Sequence, residues 1–273
     1  MSENPGMHLA TATKGSGEPV VVIHGFTGSG EAMAPLVDRL DGWRRIAVDL
    51  PGHGRSSAPA KLSCYSVEAL AESVAGLAAA VPDGPCHVVG YSMGGRVALA
   101  LASARSEVCR SLTLISATAG IADAAGRAQR RRADETLADR IDEHGLAGFV
   151  DEWMALPMWD TLRARLRPSE WEASVRQRRS CDPVGLANSL RAGGTGSMTP
   201  LWDRLAALAV PTLVVCGALD AKFVELGRRM SELLPNSELA VMPGVGHAVH
   251  LEAPDSCARA IAKHLAASTE LRG

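Results

Sequence analysis

The chain has 273 residues, 47% hydrophobic and 21% charged, with 28 basic and 30 acidic side chains and a formal net charge of −2. That length suits one large domain carrying an insertion, and the balanced charge excludes the basic footprint of a nucleic-acid binder or another bulk electrostatic partner. Six cysteines lie scattered without a C-x-x-C pair or zinc-like spacing, no run approaches the roughly 20 apolar residues of a bilayer span, and residues 1–13 show no leader pattern, so a cytoplasmic chain without metal site or membrane contact is expected.

In chain order, residues 19–23, 45–50, 86–90 and 111–116 are short β-branched runs bounded by turn residues, the pattern of buried parallel strands. Between them, Ser66 can cap a helix reaching about residue 81, and residues 93–104 carry Ala, Leu and Val at helical spacing. Alternating strands and helices predict an α/β class with a doubly wound, mostly parallel sheet. From 117 to 204 the alternation stops. This stretch is helical in pattern and holds four of the five tryptophans; 12 of the 24 arginines lie between Arg127 and Arg191. It predicts an inserted helical cap, most of whose arginines form a solvated face and most of whose tryptophans are packing anchors. Strand pattern returns at 211–217 and 238–242, and a last helix is expected over 254–267. Residues 1–116 and 205–273 must then close one core sheet, with 117–204 as the lid.

The strongest chemical signal is Gly90-Tyr91-Ser92-Met93-Gly94, a G-x-S-x-G between an apolar strand and an Ala-rich helix. A sharp strand-to-helix turn exposes the Ser92 hydroxyl, and small neighbours let the chain pass. A lone serine is a poor nucleophile or base, so it needs a histidine and a carboxylate to orient that histidine. Asp220 follows the strand at 211–217 and His247 the strand at 238–242, giving the chain order Ser, Asp, His. His250 is the rival histidine, in a segment that reads as a helix entry. Backbone N–H groups of Met93 and Phe26, the latter in His24-Gly25-Phe26-Thr27-Gly28, are the expected oxyanion hole. His24 is expected to bond loop backbone, and residues 49–56 to be scaffold.

These motifs resemble the α/β-hydrolase superfamily over essentially the whole chain, which implies an α/β-hydrolase fold. More narrowly, residues 90–96, 185–191 with Gly194-Thr195-Gly196, Leu201-Trp202, 220–223 and 246–252 resemble the SHCHC synthase family of menaquinone biosynthesis, SHCHC being 2-succinyl-6-hydroxy-2,4-cyclohexadiene-1-carboxylate. The resemblance implies a lyase in which Ser92, activated by His247, promotes removal of the proton next to a succinyl ketone. Pyruvate is then eliminated without any cofactor. It also implies a carboxylate-rich substrate held by Arg96, Arg130 and Arg178, with Tyr91 and Trp153 lining the pocket. The chain departs from the family at Ala119-Gly120-Ile121, where Pro-Gly-Leu is usual, at Met198, where Gln is usual, and at Gly126, where an acidic residue is usual.

Two other readings stay open on the residues alone, and a third is excluded by the elbow residue. A serine esterase or C–C bond hydrolase would use the same triad, but would line its cap mainly with apolar side chains. A non-catalytic binding module would not need all three triad positions, which are intact. Epoxide hydrolases and haloalkane dehalogenases carry aspartate where this chain has Ser92.

Overall fold

The computed structural model describes residues 8–82 and 84–270; residues 1–7, most of the stretch read above for a leader pattern, lie outside the described residues. Seven strands, β1 (Thr11–Lys14), β2 (Pro19–Ile23), β3 (Arg44–Val48), β4 (Cys86–Tyr91), β5 (Cys109–Ile115), β6 (Thr212–Gly217) and β7 (Ser237–Met242), form one sheet in the order β1-β3-β2-β4-β5-β6-β7. β1 pairs antiparallel with β3, and every other pair is parallel. β2, β4 and β6 are buried along their whole length. That is why they read as unbroken apolar runs without polar alternation. β1 was not foreseen, because its four residues are all exposed and carry no apolar signal. It exists through main-chain pairing to β3 at the sheet edge.

The two-residue period of the strands sends alternate side chains into two cores. On one face Val21, Ile23, Val88, Leu112, Leu114 and Val214 pack with Val67, Leu70 and Val74 of one helix and Val97 and Leu101 of another. On the other, Val20, Val22, Val89, Leu213 and Val215 pack with Ile261 and Leu265 near the C-terminus.

The helices are α1 (Ala34–Val37), α2 (Val67–Ala79), α3 (Met93–Ala104), α4 (Ala124–Met154), α5 (Asp160–Arg165), α6 (Pro168–Arg178), α7 (Pro183–Gly193), α8 (Ala221–Leu233), α9 (Val249–Glu252) and α10 (Pro254–Glu270). Ser66 caps α2 by accepting from the Ala69 N–H at 3.2 Å. Between β5 and β6 the regular elements are all helical, α4 to α7 and two short 3-10 turns. α4 is interrupted at Gly145, whose φ of 73° an α-helix cannot hold. Asp123 caps α4 through the Gly126 N–H at 2.6 Å, and a Cβ on Gly126 would lie 2.7 Å from the capping carboxylate. The family's acidic side chain would crowd that cap. Arg191 of α7 bonds Glu135, Asp139 and Asp142 of α4 at 2.7 to 2.9 Å, clamping the two helices together. Asp49 ties the turn at 49–56 by accepting from Gly30 and Arg55 N–H groups at 2.6 and 2.9 Å, a scaffold role. Among the described residues no helix is long and apolar enough to cross a membrane.

Candidate active site

β4 ends at Tyr91 and α3 begins at Met93, so Ser92 alone makes the turn, with φ 51° and ψ −107°. This conformation is costly for any residue with a Cβ and persists only where its surroundings impose it. The flanking glycines show how it is imposed. A Cβ on Gly90 would lie 2.3 Å from the Gly94 carbonyl oxygen, and one on Gly94 would lie 2.4 Å from the carbonyl oxygens of Ile23 and His24. The chain crosses itself and β2 at distances that only hydrogen permits. The Ser92 N–H is fixed to the Ile115 carbonyl at 2.8 Å.

His247 follows β7 in the chain and stands between the other two groups. Its Nδ1 lies 2.6 Å from Asp220 Oδ2 and its Nε2 lies 3.2 Å from Ser92 Oγ. Asp220 sits at the head of α8 after β6, and Gly217 leaves room for the His247 loop, since a Cβ there would lie 2.1 Å from the Gly246 carbonyl oxygen. His250 packs at a tilt against Tyr91, 4.1 Å between ring centroids, and burial pushes the His250 ring down to about 3. It faces no carboxylate of the triad. His24 accepts the Leu50 N–H at Nε2 (3.0 Å) and donates from Nδ1 to the Gly25 carbonyl (2.7 Å), a pattern that requires the neutral ring, and burial lowers it to about 4.

Ser92 and His247 open onto a cavity of about 470 Å³. Phe26 and Met93 line it, and the loop between them and Ser92 is tight: a Cβ on Gly25 would lie 3.4 Å from the Ser92 Cβ. Arg96, Arg130 and Trp153 line it as well. Arg96 is buried, donates from Nη1 to the Gly193 carbonyl at 2.6 Å, and is lowered to about 10 by burial and by the neighbouring Arg130 cation. Its Nη1 also lies 4.0 Å from Met198 Sδ, so the family departure at Met198 places a weak sulfur acceptor where glutamine would offer a carbonyl. Trp153 packs edge-on against Phe26 at 5.3 Å, joining the end of α4 to the Phe26 loop. Trp202 is an anchor instead, donating to the Gly120 carbonyl at 2.9 Å under Arg229.

Two expected pocket residues are placed elsewhere. Tyr91 is buried beneath His247 and His250, and Arg178 stacks over Trp159 at 5.0 Å while bonding Ser174. Neither side chain lines the cavity. The reason is direction: Tyr91, one residue before Ser92, points to the opposite side of its strand, and Trp159 stands between Arg178 and His247.

Sequence reasoning missed several cavity residues, chiefly Asp134, Leu137, Ser189, Lys222 and Phe223. Asp134 had a signal, because it lies one helical turn after Arg130 and its Oδ1 accepts from Arg130 Nε at 2.8 Å. Burial raises its carboxyl despite that cation. Among the described residues no cluster of three or more His, Cys, Asp or Glu side chains is placed to hold a metal ion.

The α/β hydrolase fold family matches residues 18–254. A Bacillus subtilis (strain 168) protein provisionally named 2-succinyl-6-hydroxy-2,4-cyclohexadiene-1-carboxylate synthase is 34% identical over 251 residues, covering 91% of each chain. The Serratia proteamaculans (strain 568) protein of that name is 31% identical, over 92% of this chain and 95% of its own. The solved structure of MenH from S. aureus is similar with a TM-score of 0.90 at 30% identity, covering 96% of this chain and 99% of that one.

Proposed function

The chain belongs to the α/β-hydrolase fold family and, within it, to the 2-succinyl-6-hydroxy-2,4-cyclohexadiene-1-carboxylate synthase family, and from that premise we propose that it eliminates pyruvate from 2-succinyl-5-enolpyruvyl-6-hydroxy-3-cyclohexene-1-carboxylate. The observation that carries this reading is the pairing of a 3.2 Å Ser92–His247 contact with two guanidinium groups, Arg96 and Arg130, on the wall of the same cavity. A cavity built for neutral esters gains nothing from two cations on its wall, Arg96 buried and Arg130 partly exposed. Planar guanidinium groups match carboxylates two bonds at a time, and this substrate carries three carboxylates.

Ser92 Oγ takes the ring proton next to the succinyl ketone as its own proton passes to His247 Nε2, and Asp220 supports the imidazolium so formed. The released C–H pair becomes the double bond between ring carbons 2 and 3. The pair already between carbons 3 and 4 moves to lie between 4 and 5, and the C–O bond at carbon 5 breaks. Enolpyruvate leaves, takes back one proton and becomes pyruvate, so that one ring alkene becomes two with no redox change. The N–H groups of Met93 and Phe26 stabilise the enolate oxygen of the ketone as charge develops there. Residues 117–204 act as the lid that keeps water from this intermediate, and six buried free thiols suit a cytoplasmic setting.

Assaying this substrate beside a short acyl ester tests the proposal. Pyruvate should appear as fast as the cyclohexene is consumed, without a burst. Rapid-quench mass spectrometry that traps a covalent adduct on Ser92 with the cyclohexene would overturn the lyase in favour of a hydrolase.

A further inference from the structure

Three cations line the cavity that holds Ser92: Arg96, Arg130 and, in the first turn of α8, Lys222. Lys222 is exposed, and its Nζ stands 5.7 Å from the centroid of the Phe223 ring. Phe223 in turn packs against the His247 ring at 4.6 Å, so Lys222 stands beside the proton shuttle of Ser92, His247 and Asp220. Among the described residues no carboxylate pairs with Lys222. The nearest acid in the sequence, Asp220, is taken by His247 at 2.6 Å. Helix stability does not explain this lysine. A cation in the first turn opposes the helix dipole, and no acidic side chain within that turn offsets it. α8 is held instead by Val224 and Met230, which are buried in the core.

Lys222 and Arg96 reach the cavity from different strands. α3 follows β4 and α8 follows β6, with β5 between them, so the two helices start about 10 Å apart, two strand spacings. The carboxylates of the cyclohexene substrate are spread in a similar way. Two stay on the product, at ring carbon 1 and on the succinyl arm at carbon 2. The third leaves with enolpyruvate from carbon 5, across the ring from the carbon that Ser92 deprotonates. Arginine's planar fork suits an anion that stays in one place, whereas the compact, hydrated charge of lysine on its flexible stem suits one that moves off into water.

We propose that Lys222 is a substrate-binding residue that holds the carboxylate of the departing enolpyruvyl group, while Arg96 and Arg130 hold the two carboxylates that the product keeps. This assignment rests on the elimination proposed above. As the C–O bond at carbon 5 breaks, its electron pair stays on the enolpyruvate oxygen, next to the carboxylate bound by Lys222, and the ammonium offsets the added charge. Lys222 acts by its charge and transfers no proton, so the balance of the elimination is unchanged. The fixed guanidinium groups keep the ring over Ser92 while the leaving group parts from it.

The test pairs turnover with binding of pyruvate alone, read as broadening of the pyruvate methyl ¹H resonance by the protein, which needs no turnover. The wild type is expected to broaden it, and Lys222→Met, which keeps the apolar stem and loses the charge, to abolish the broadening. The same variant is expected to lower kcat/KM with the cyclohexene about threefold to tenfold and to weaken its salt dependence, with Lys222→Arg restoring most of both. Its Tm should be unchanged or slightly raised, because the conflict with the helix dipole is gone. Wild-type broadening and kcat/KM in Lys222→Met overturn the assignment, as does a wild type that does not broaden pyruvate. Broadening that survives Lys222→Met but not Arg130→Ala puts the departing carboxylate with the arginines and overturns it too. A lowered Tm in Lys222→Met that Lys222→Arg does not restore assigns the lysine to the fold, with the same result. The elimination fails separately: a chain that releases no pyruvate from the cyclohexene, yet broadens pyruvate through Lys222, keeps the subsite and loses the lyase.

Discussion

Arg130 and Asp134 face each other at 2.8 Å, one helical turn apart on α4, on the wall of the cavity that holds Ser92. The bond uses one of the five guanidinium donors and leaves the rest of the fork for a ligand. Each charge-assisted bond from arginine to a substrate carboxylate contributes roughly 1.5–3 kcal/mol, so Arg96→Ala and Arg130→Ala are each expected to cost about tenfold to a hundredfold in kcat/KM with the carboxylate-rich cyclohexene. Neither loss is expected with a small neutral ester. Lysine at either position recovers only part, since a point charge cannot reproduce the two-point contact. Equal losses on both substrates would assign the arginines to the fold.

Ser92 predicts a trade between activity and stability. Its φ of 51° with ψ of −107° lies where only glycine is at ease, and such strain costs on the order of 1–3 kcal/mol. Ser92→Gly is expected to abolish turnover and raise Tm, whereas Ser92→Ala abolishes turnover and leaves the strain in place. Paired melting curves check this. A Ser92→Gly Tm at or below that of Ser92→Ala would mean that the elbow is not strained.

Asp220 Oδ2 holds His247 Nδ1 at 2.6 Å, which fixes the tautomer that leaves Nε2 free to accept from Ser92. Asp220→Asn keeps the size but presents an amide that favours the wrong tautomer, and is expected to lower kcat by about 10³ to 10⁴ with KM little changed. Steady-state kinetics on the folded variant decide it. A loss of only a few-fold would remove Asp220 from the shuttle.

Acid stability follows from four of the buried histidines. Burial lowers His24 and His87 to about 4 and His53 and His250 to about 3, so all are neutral in the fold near neutrality. Unfolding frees them to take up protons below about pH 6.5, so their stabilising effect is complete above that pH and is lost as pH falls toward 4. Each contributes up to about 1.4 kcal/mol per pH unit over that interval. Tm is therefore expected to drop steeply from pH 6.5 to 5. His53→Asn, whose amide can take over the 2.9 Å bond to the Pro51 carbonyl, should flatten the drop by about one proton. A Tm that stays level across this range would contradict the neutral assignments.

The sheet was legible because its central strands are buried on both faces, and burial forces unbroken runs such as Val20 to Ile23. The elbow was legible because a strained serine needs glycine at fixed offsets, a purely local requirement that Gly90 and Gly94 meet. β1 left no trace, since an exposed edge strand is held by main-chain bonds that any side chain allows. Motif order likewise brought Asp220 and His247 into view, because each follows a strand of the sheet, β6 and β7, at the strand ends where Ser92 turns.

The arginines were a different matter. Nothing local separates Arg130 from Arg127, Arg131 or Arg132, and only the packing of α4 against α7 and the core puts Arg130 on the cavity while Arg131 bonds the Gly196 carbonyl. The same holds for Arg178, drawn away over Trp159, and for Asp134, an ordinary helix acid until it is buried beside a cation. Sequence by itself determined the fold and the order of Ser92, Asp220 and His247, because backbone strain and strand burial write short-range patterns into the chain. Which charges line the cavity, and which are drawn elsewhere, only the tertiary structure decided, because these depend on contacts between residues as far apart as Arg96 and Gly193 or Arg131 and Gly196.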